Sequence, residues 1–178
     1  MTTEPPICLF VAPVTPLQQN CTVVWCTKTN KAAIIDPGGD LDLILDEIKR
    51  RGLTVEKIWI THGHADHARA GHGHVWATEA TLAIMRARYG ETHYLMTENP
   101  LAYGEVVEIG GVKISLHPAG HILGSAQARL EHGGSSIVFS GDYKRRADPT
   151  CAPFEPVPCD VFVTEATFAL PVFRHPPL

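Results

Sequence analysis

Residues 61–67 read Thr61-His62-Gly63-His64-Ala65-Asp66-His67, an H-x-H-x-D-H cluster that brings three imidazoles and a carboxylate together. Nitrogen and carboxylate oxygen donors at this density suit a borderline divalent ion, zinc first, with iron or manganese as substitutes. A histidine-rich surface loop or a purification tag is the plain alternative, but tags are terminal and lack the interleaved aspartate. The run ahead of the cluster, Val55-Glu56-Lys57-Ile58-Trp59-Ile60, is rich in β-branched and aromatic residues, which predicts a strand. The cluster therefore sits where a strand gives way to a loop. Gly63 and Ala65 keep the intervening positions small, so the backbone can fold around an ion. Such a loop can aim His62 and His64 at one ion and Asp66 and His67 at its neighbour.

Outward from the cluster, the elements alternate in type. Ile7–Val14, Cys21–Thr27 and Lys31–Ile35 read as short strands, and the last ends in Asp36-Pro37-Gly38-Gly39, a turn by composition. Asp40 is placed to cap a helix running to Arg51, in which Leu41, Ile44, Leu45 and Ile48 recur at helical spacing before Gly52. Beyond the cluster, Val75–Ala77 is a brief strand. Thr78 then caps a helix to about Arg88, with Gly90 just past its end. Glu91–Tyr103 is polar and reads as a loop. Glu105–Ile109 with Val112–His117, and Gln127–Glu131 with Ser135–Ser140, read as two hairpins across Gly-Gly turns. Asp160–Thr164 closes the series. Strands that arrive in hairpins with helices between them predict a layered α/β fold with mixed sheets.

The composition excludes several classes. A chain of 178 residues that is 44% hydrophobic can build one domain with a substantial core. A net charge of −4 gives no overall electrostatic footprint for nucleic acid, leaving room only for a local basic patch. The five cysteines form no C-x-x-C pair, and their odd number argues for reduced thiols and a cytoplasmic protein. The N-terminus carries no basic, apolar leader, and no run is long enough to span a bilayer, so no membrane association is expected.

Two later segments share the strand-end context of the cluster. One is Leu116-His117-Pro118-Ala119-Gly120-His121-Ile122-Leu123-Gly124-Ser125; the other is Val138-Phe139-Ser140-Gly141-Asp142-Tyr143. Singly, a histidine after a strand is an ordinary surface or core residue, and an aspartate after glycine is an ordinary turn residue. Their order after H-x-H-x-D-H makes the set specific.

In that order the sequence resembles the metallo-β-lactamase superfamily, which implies an αββα sandwich. Two branches are visible. From Ile7 to His67, Pro13-Val14-Thr15-Pro16-Leu17-Gln18-Gln19-Asn20-Cys21, Asp36-Pro37-Gly38-Gly39-Asp40 and Thr61-His62-Gly63-His64 resemble glyoxalase II-type thioesterases (hydroxyacylglutathione hydrolases). From Ala68 to Pro177, Ala68-Arg69-Ala70-Gly71-His72-Gly73, Pro118 to Ala126, Ser140 to Lys144 and Asp148 to Pro156 resemble the ligase-associated DNA exonucleases of the beta-CASP group. A crossover near residues 60–70 within a single domain, residues 1–178, would join the two while preserving the site.

The resemblance implies a two-ion centre. His62, His64 and His121 would hold the first ion, Asp66 and His67 the second, and Asp142 would bridge them. A metal-bound hydroxide would be the nucleophile, with Asp66 also accepting its proton. Thr61 is a candidate to orient the imidazoles. Glu165 matches the acidic residue that opens the beta-CASP region; its ordinary reading is a polar residue after the last strand. Past Glu165 the family's cap domain and last histidine ligand do not follow, which predicts a C-terminally truncated sandwich and a weakened second ion. His175 is read as incidental, and His72, His74, His93, His117 and His132 as surface or supporting residues.

Three functions are therefore expected in order. The first is a metal-dependent hydrolase acting on phosphodiesters, with Lys144, Arg145 and Arg146 near phosphate and nucleic acid only a weak partner. The second is a thioesterase acting on a small glutathione thioester. The third is a metal-binding chimeric scaffold with little turnover.

Overall fold

The computed structural model describes residues 6–91 and 97–165. Among the described residues, eleven strands and two helices follow one another as β1 (Ile7–Val14), β2 (Gln19–Cys26), β3 (Lys31–Ile35), α1 (Leu41–Arg51), β4 (Thr54–Trp59), β5 (His74–Ala77), α2 (Glu79–Tyr89), β6 (Thr97–Pro100), β7 (Val106–Ile109), β8 (Val112–Pro118), β9 (Ala126–His132), β10 (Ser135–Phe139) and β11 (Val161–Val163). They form a six-stranded sheet in the order β1-β2-β3-β4-β5-β6 and a five-stranded sheet in the order β11-β10-β9-β8-β7. Both are mixed: β1, β2 and β3 pair antiparallel while β3 to β6 run parallel, and β10 pairs antiparallel with β9 but parallel with β11.

Strand alternation divides the apolar residues among three clusters. Val24, Ile35 and Trp59 face the second sheet and meet Ile114, Leu116, Ala128, Leu130 and Phe139 in the core between the sheets. Their neighbours Val23 and Ile34 point the other way and bury Ile44 and Ile48 of α1. Leu82 and Met85 of α2 pack on Val75, Ala77 and Ile60. Both helices thus lie on the outer face of the first sheet. Burial of a side chain such as Trp59, 2% exposed, contributes on the order of 2–3 kcal/mol.

Among the described residues, an extended, proline-rich strap rather than a helix covers the outer face of the second sheet. Gln127 Nε2 donates to the Glu155 carbonyl (2.8 Å), and Arg129 Nε donates to that of Pro158 (3.3 Å). His117 sits between Ser115 Oγ (3.0 Å) and Glu155 Oε1 (3.1 Å). Ser115 is only 7% exposed, so this polar chain seats the strap.

Two local expectations are corrected. Within the stretch read as a loop, Thr97–Pro100 forms β6, pairing His74 with Thr97 and Ala77 with Pro100. Its polar residues carry no strand pattern because it is an edge, held by backbone pairing and by Asn99 Nδ2 donating to the Val75 carbonyl (3.1 Å). An edge also tolerates Pro100. Asp40 precedes α1 as expected but makes no side-chain cap. Its backbone is left-handed (φ 47°), and its carboxylate instead accepts from the Thr15 N–H at 2.7 Å. Thr78 does cap α2, accepting from the Thr81 N–H at 3.2 Å.

Candidate metal centre

Parallel pairing of β3 with β4 places their C-terminal ends side by side, with Ile35 opposite Trp59. Asp36 leaves β3 there and Thr61 to His67 leave β4. The second sheet opens at the same end. The β8–β9 connection carries His121, the residues after β10 carry Asp142, and the Ala126 N–H donates to the Thr61 carbonyl (2.8 Å), tying the two sheets together.

Four of the six residues singled out as ligands converge. His62, His64, His121 and Asp142 each offer one donor atom, all within 4.8 Å of one another. His62 Nε2 lies 3.1 Å from His64 Nδ1, which lies 3.3 Å from His121 Nε2. Asp142 Oδ2 is 3.4 Å from His121 Nε2 and 3.8 Å from His62 Nε2. The remaining two adjoin them: His67 Nε2 is 3.8 Å from Asp66 Oδ2 and 3.9 Å from Asp142 Oδ1. Asp142 therefore faces both halves.

The residue that sequence reasoning missed is Asp36. Taken as part of a turn, it is 1% exposed and organises the site. It accepts from the Thr61 N–H (2.7 Å) and Thr61 Oγ1–H (2.6 Å), and lies 3.0 Å from His67 Nδ1. With its proton committed to Asp36, Thr61 Oγ1 can accept from His62 Nδ1–H at 3.1 Å. This chain leaves Nε2 of both His62 and His67 directed into the centre, with Thr61 hydrogen-bonded between Asp36 and His62. The marks of Asp36 are structural: a positive φ (52°) and, two residues on, Gly38, where a Cβ would overlap the Asp66 carbonyl. Gln19, also buried, steadies the corner by donating to the Asp36 carbonyl (3.0 Å).

Electrostatics separate the two halves. Burial, followed by the nearby imidazoles and Arg88, holds His62 well below the usual imidazole range, so it is neutral and able to ligate. Burial also lowers His121 against the pull of Asp142. At His67, burial opposes the charged form, but the Asp36 hydrogen bond and the charges of Asp36, Asp142 and Asp66 outweigh it and raise the value to about 9. His67 Nε2 is buried without a hydrogen-bond partner among the described residues. A buried, orphaned nitrogen facing two carboxylates, next to three imidazoles, fits a divalent cation well.

Around this centre, Glu165 takes the Asn20 N–H on Oε1 (2.9 Å) and Oε2 (3.1 Å), and burial raises it to about 7. It lies near enough to the centre to feel the charges of His67, Asp36 and Asp142, which puts it at the wall of the site. Lys144 pairs with Asp148 (2.9 Å), while Arg145 and Arg146 are exposed. His117 and His132 are supporting or surface residues, the latter 3.0 Å from the Gly111 carbonyl. His72 is half-buried and outside both groups of clustered donors, and His74 is exposed on β5; His93 and His175 lie outside the described residues.

A profile of the metallo-beta-lactamase superfamily matches residues 14–172. The chain belongs to that superfamily. Hydroxyacylglutathione hydrolase GloC of Haemophilus influenzae is 43% identical over 150 residues, covering 74% of this chain and 69% of that protein. A probable DNA ligase of Opitutus terrae is 34% identical over 124 residues, covering 68% of this chain but 12% of the ligase. Endoribonuclease YSH1 of Mycosarcoma maydis is 30% identical over 149 residues, covering 65% of this chain and 17% of that protein. The chain thus spans only a small part of the ligase and the endoribonuclease. At 74% and 68% of its length, the thioesterase-like and ligase matches overlap. Among solved structures of the superfamily fold, YhfI of Bacillus subtilis superposes with a TM-score of 0.59 at 13% identity, over 77% of this chain and 62% of that one. No helix among the described residues is long and apolar enough to cross a membrane.

Proposed function

We propose that the protein is a metal-dependent hydrolase whose first substrate class is phosphodiesters. The observation that carries this reading is the convergence of His62 Nε2, His64 Nδ1, His121 Nε2 and Asp142 on one point, with His67 and Asp66 at its flank. His62, His64 and His121 would hold one ion, Asp66 and His67 a second, and Asp142 would face both; zinc suits this donor set best. A divalent ion supplies Lewis acidity to the oxygen under attack and acidifies the attacking water.

The chain's own residues do the rest. Thr61 and Asp36 fix the imidazole tautomers, so no rearrangement is needed when charge develops. Asp66, with an oxygen 3.8 Å from His67 Nε2, would accept the proton of the attacking water. Glu165, raised to about 7, can hold or release a proton near neutral pH at the same wall. Arg145 and Arg146, exposed shortly beyond Asp142 in the chain, offer charge to an anionic substrate. Relatives named as a DNA ligase and an endoribonuclease support nucleic-acid-type phosphodiesters.

A thioester reading is favoured by one observation, the 43% identity to a hydroxyacylglutathione hydrolase. The two matches overlap in this chain, so both readings draw on the same site. Five free cysteines support a reducing, cytoplasmic setting.

Metal analysis of the purified protein should give one to two equivalents of zinc or iron. Parallel assays with bis(p-nitrophenyl) phosphate, S-lactoylglutathione and a chromogenic cephalosporin should rank the phosphodiester highest. Loss of that activity in His64→Ala and Asp142→Ala ties it to the site. Metal uptake with every substrate inert would leave a binding scaffold, and a folded protein that takes up no metal would overturn the reading.

A further inference from the structure

The loop that carries His62, His64, Asp66 and His67 is held from behind by helix α2. Ile84 packs so closely on Gly63 that a Cβ there would lie 2.7 Å from Ile84 Cγ2 and 3.1 Å from its Cβ. One helical turn later, Arg88 donates from Nη1 to the Gly63 carbonyl. The next residue, Tyr89, donates its hydroxyl to the Ala68 carbonyl. Gly63 lies between the first two histidines and Ala68 follows the last, so the two donors grip opposite ends of the ligand loop. Between them the His67 and Ala68 N–H groups donate to the His64 carbonyl at 3.1 and 2.8 Å, and a side-chain anchor ties His67 Nδ1 to Asp36 at 3.0 Å. Leu82 and Met85, buried on the same helix face, fix α2 against Ile60 and Ala68.

We infer that the last turn of α2 is a clamp on the metal loop, with Arg88 and Tyr89 as positioning residues that hold its two ends in the ligating geometry. The physical reason is entropic. A loop with one internal turn samples many conformations, and few of these bring three imidazoles and a carboxylate within bonding range of one point. Two tertiary hydrogen bonds to its carbonyls remove that freedom before an ion arrives. The clamp also gives Gly63 its role. Small size at that position serves the close approach of Ile84 rather than wrapping around an ion, whereas Ala65 is exposed. Arg88 contributes by its hydrogen bond and against its charge, since a cation near His62 disfavours a second cation.

This inference rests on the metal-centre reading for its consequence but has a readout independent of it. Tyr89→Phe removes one hydroxyl and keeps the packing. In the metal-free protein it should speed amide exchange at His67 and Ala68 about fivefold relative to the core strands. In a zinc titration against a chromophoric chelator it should weaken affinity about tenfold, with an altered visible spectrum for the cobalt form. Arg88→Leu should also weaken zinc binding despite removing a repulsive charge, and Arg88→Lys should recover part of the loss. Unchanged exchange in Tyr89→Phe overturns the clamp whether or not the parent binds metal. Zinc affinity and cobalt spectrum unchanged in both Tyr89→Phe and Arg88→Leu, in a parent that binds zinc, overturn its positioning role. A parent that takes up no zinc overturns the metal-centre reading instead, and exchange still decides the clamp.

Discussion

Replacing Asp36 by asparagine would test the organisation of the centre at the point where its geometry and electrostatics meet. In the parent, the Asp36 carboxylate lies 3.0 Å from His67 Nδ1 and is the main counterweight to burial of that imidazole. His67 rises from 6.5 to about 9, which corresponds to about 3 kcal/mol favouring its protonated form in the folded protein. Because the folded value lies above the unfolded one, this stabilisation is fully present below pH 6.5 and is lost as pH rises through about 9. The Asp36→Asn substitution would keep the shape and remove the largest opposing charge while burial and the weaker pull of Asp142 and Asp66 remained, so His67 should titrate well below the parent's value of about 9. Ion uptake changes in the same direction. In the parent, each pH unit below about 9 should weaken binding at His67 about tenfold, because the ion must displace a proton. The substitution should relieve that competition near neutral pH while loosening the imidazole's orientation. Imidazole Cε1–H resonances of the metal-free protein, followed from pH 5 to 10, measure both values. A parent His67 titrating at or below 6.5, or an Asp36→Asn protein still titrating near 9, would refute the reasoning.

Three further outcomes are expected. In Gly141→Ala, the left-handed backbone (φ 52°) and a Cβ only 2.7 Å from Thr61 Cβ should cost about 2–4 kcal/mol in denaturant unfolding and displace Asp142; a loss under 0.5 kcal/mol would contradict the packing. Glu165→Gln removes a carboxylate that burial raises to about 7, so its stability relative to the parent should increase between pH 5 and 8; a flat difference across that window would remove Glu165 from the wall of the site. Stripping metal with a chelator should lower the melting temperature by about 5–10 °C when the ion had been held at about a hundredfold above its dissociation constant, and an unchanged transition would deny ligation in the folded state.

Much of the centre was legible because its signals are local. H-x-H-x-D-H lies within one loop, and His121 and Asp142 each follow a recognisable apolar strand. Asp36 was hidden because its role depends on a residue 25 positions away. Nothing in Asp36-Pro37-Gly38-Gly39 distinguishes a buried acceptor from a solvent-facing turn until β3 pairs with β4. The β6 strand was hidden for a related reason: Thr97 to Pro100 carries no alternation, and only an open edge at β5 recruits it. Asp40 followed the usual sequence pattern for a helix cap, yet the Thr15 N–H took its carboxylate.

The sequence by itself determined the candidate donors, the strand-end placement of each and the layered α/β class, since these follow from residue type and short-range periodicity. Tertiary structure decided which nitrogen of each histidine faces the centre and which imidazole carries charge. It also determined what holds the loop from behind. Those properties arise from contacts between distant segments: Asp36 with His67, Thr61 with Asp36, and Arg88 and Tyr89 with the loop carbonyls. Burial gives each contact its strength, because a hydrogen bond or charge removed from water is stronger when paired and costlier when left unmade.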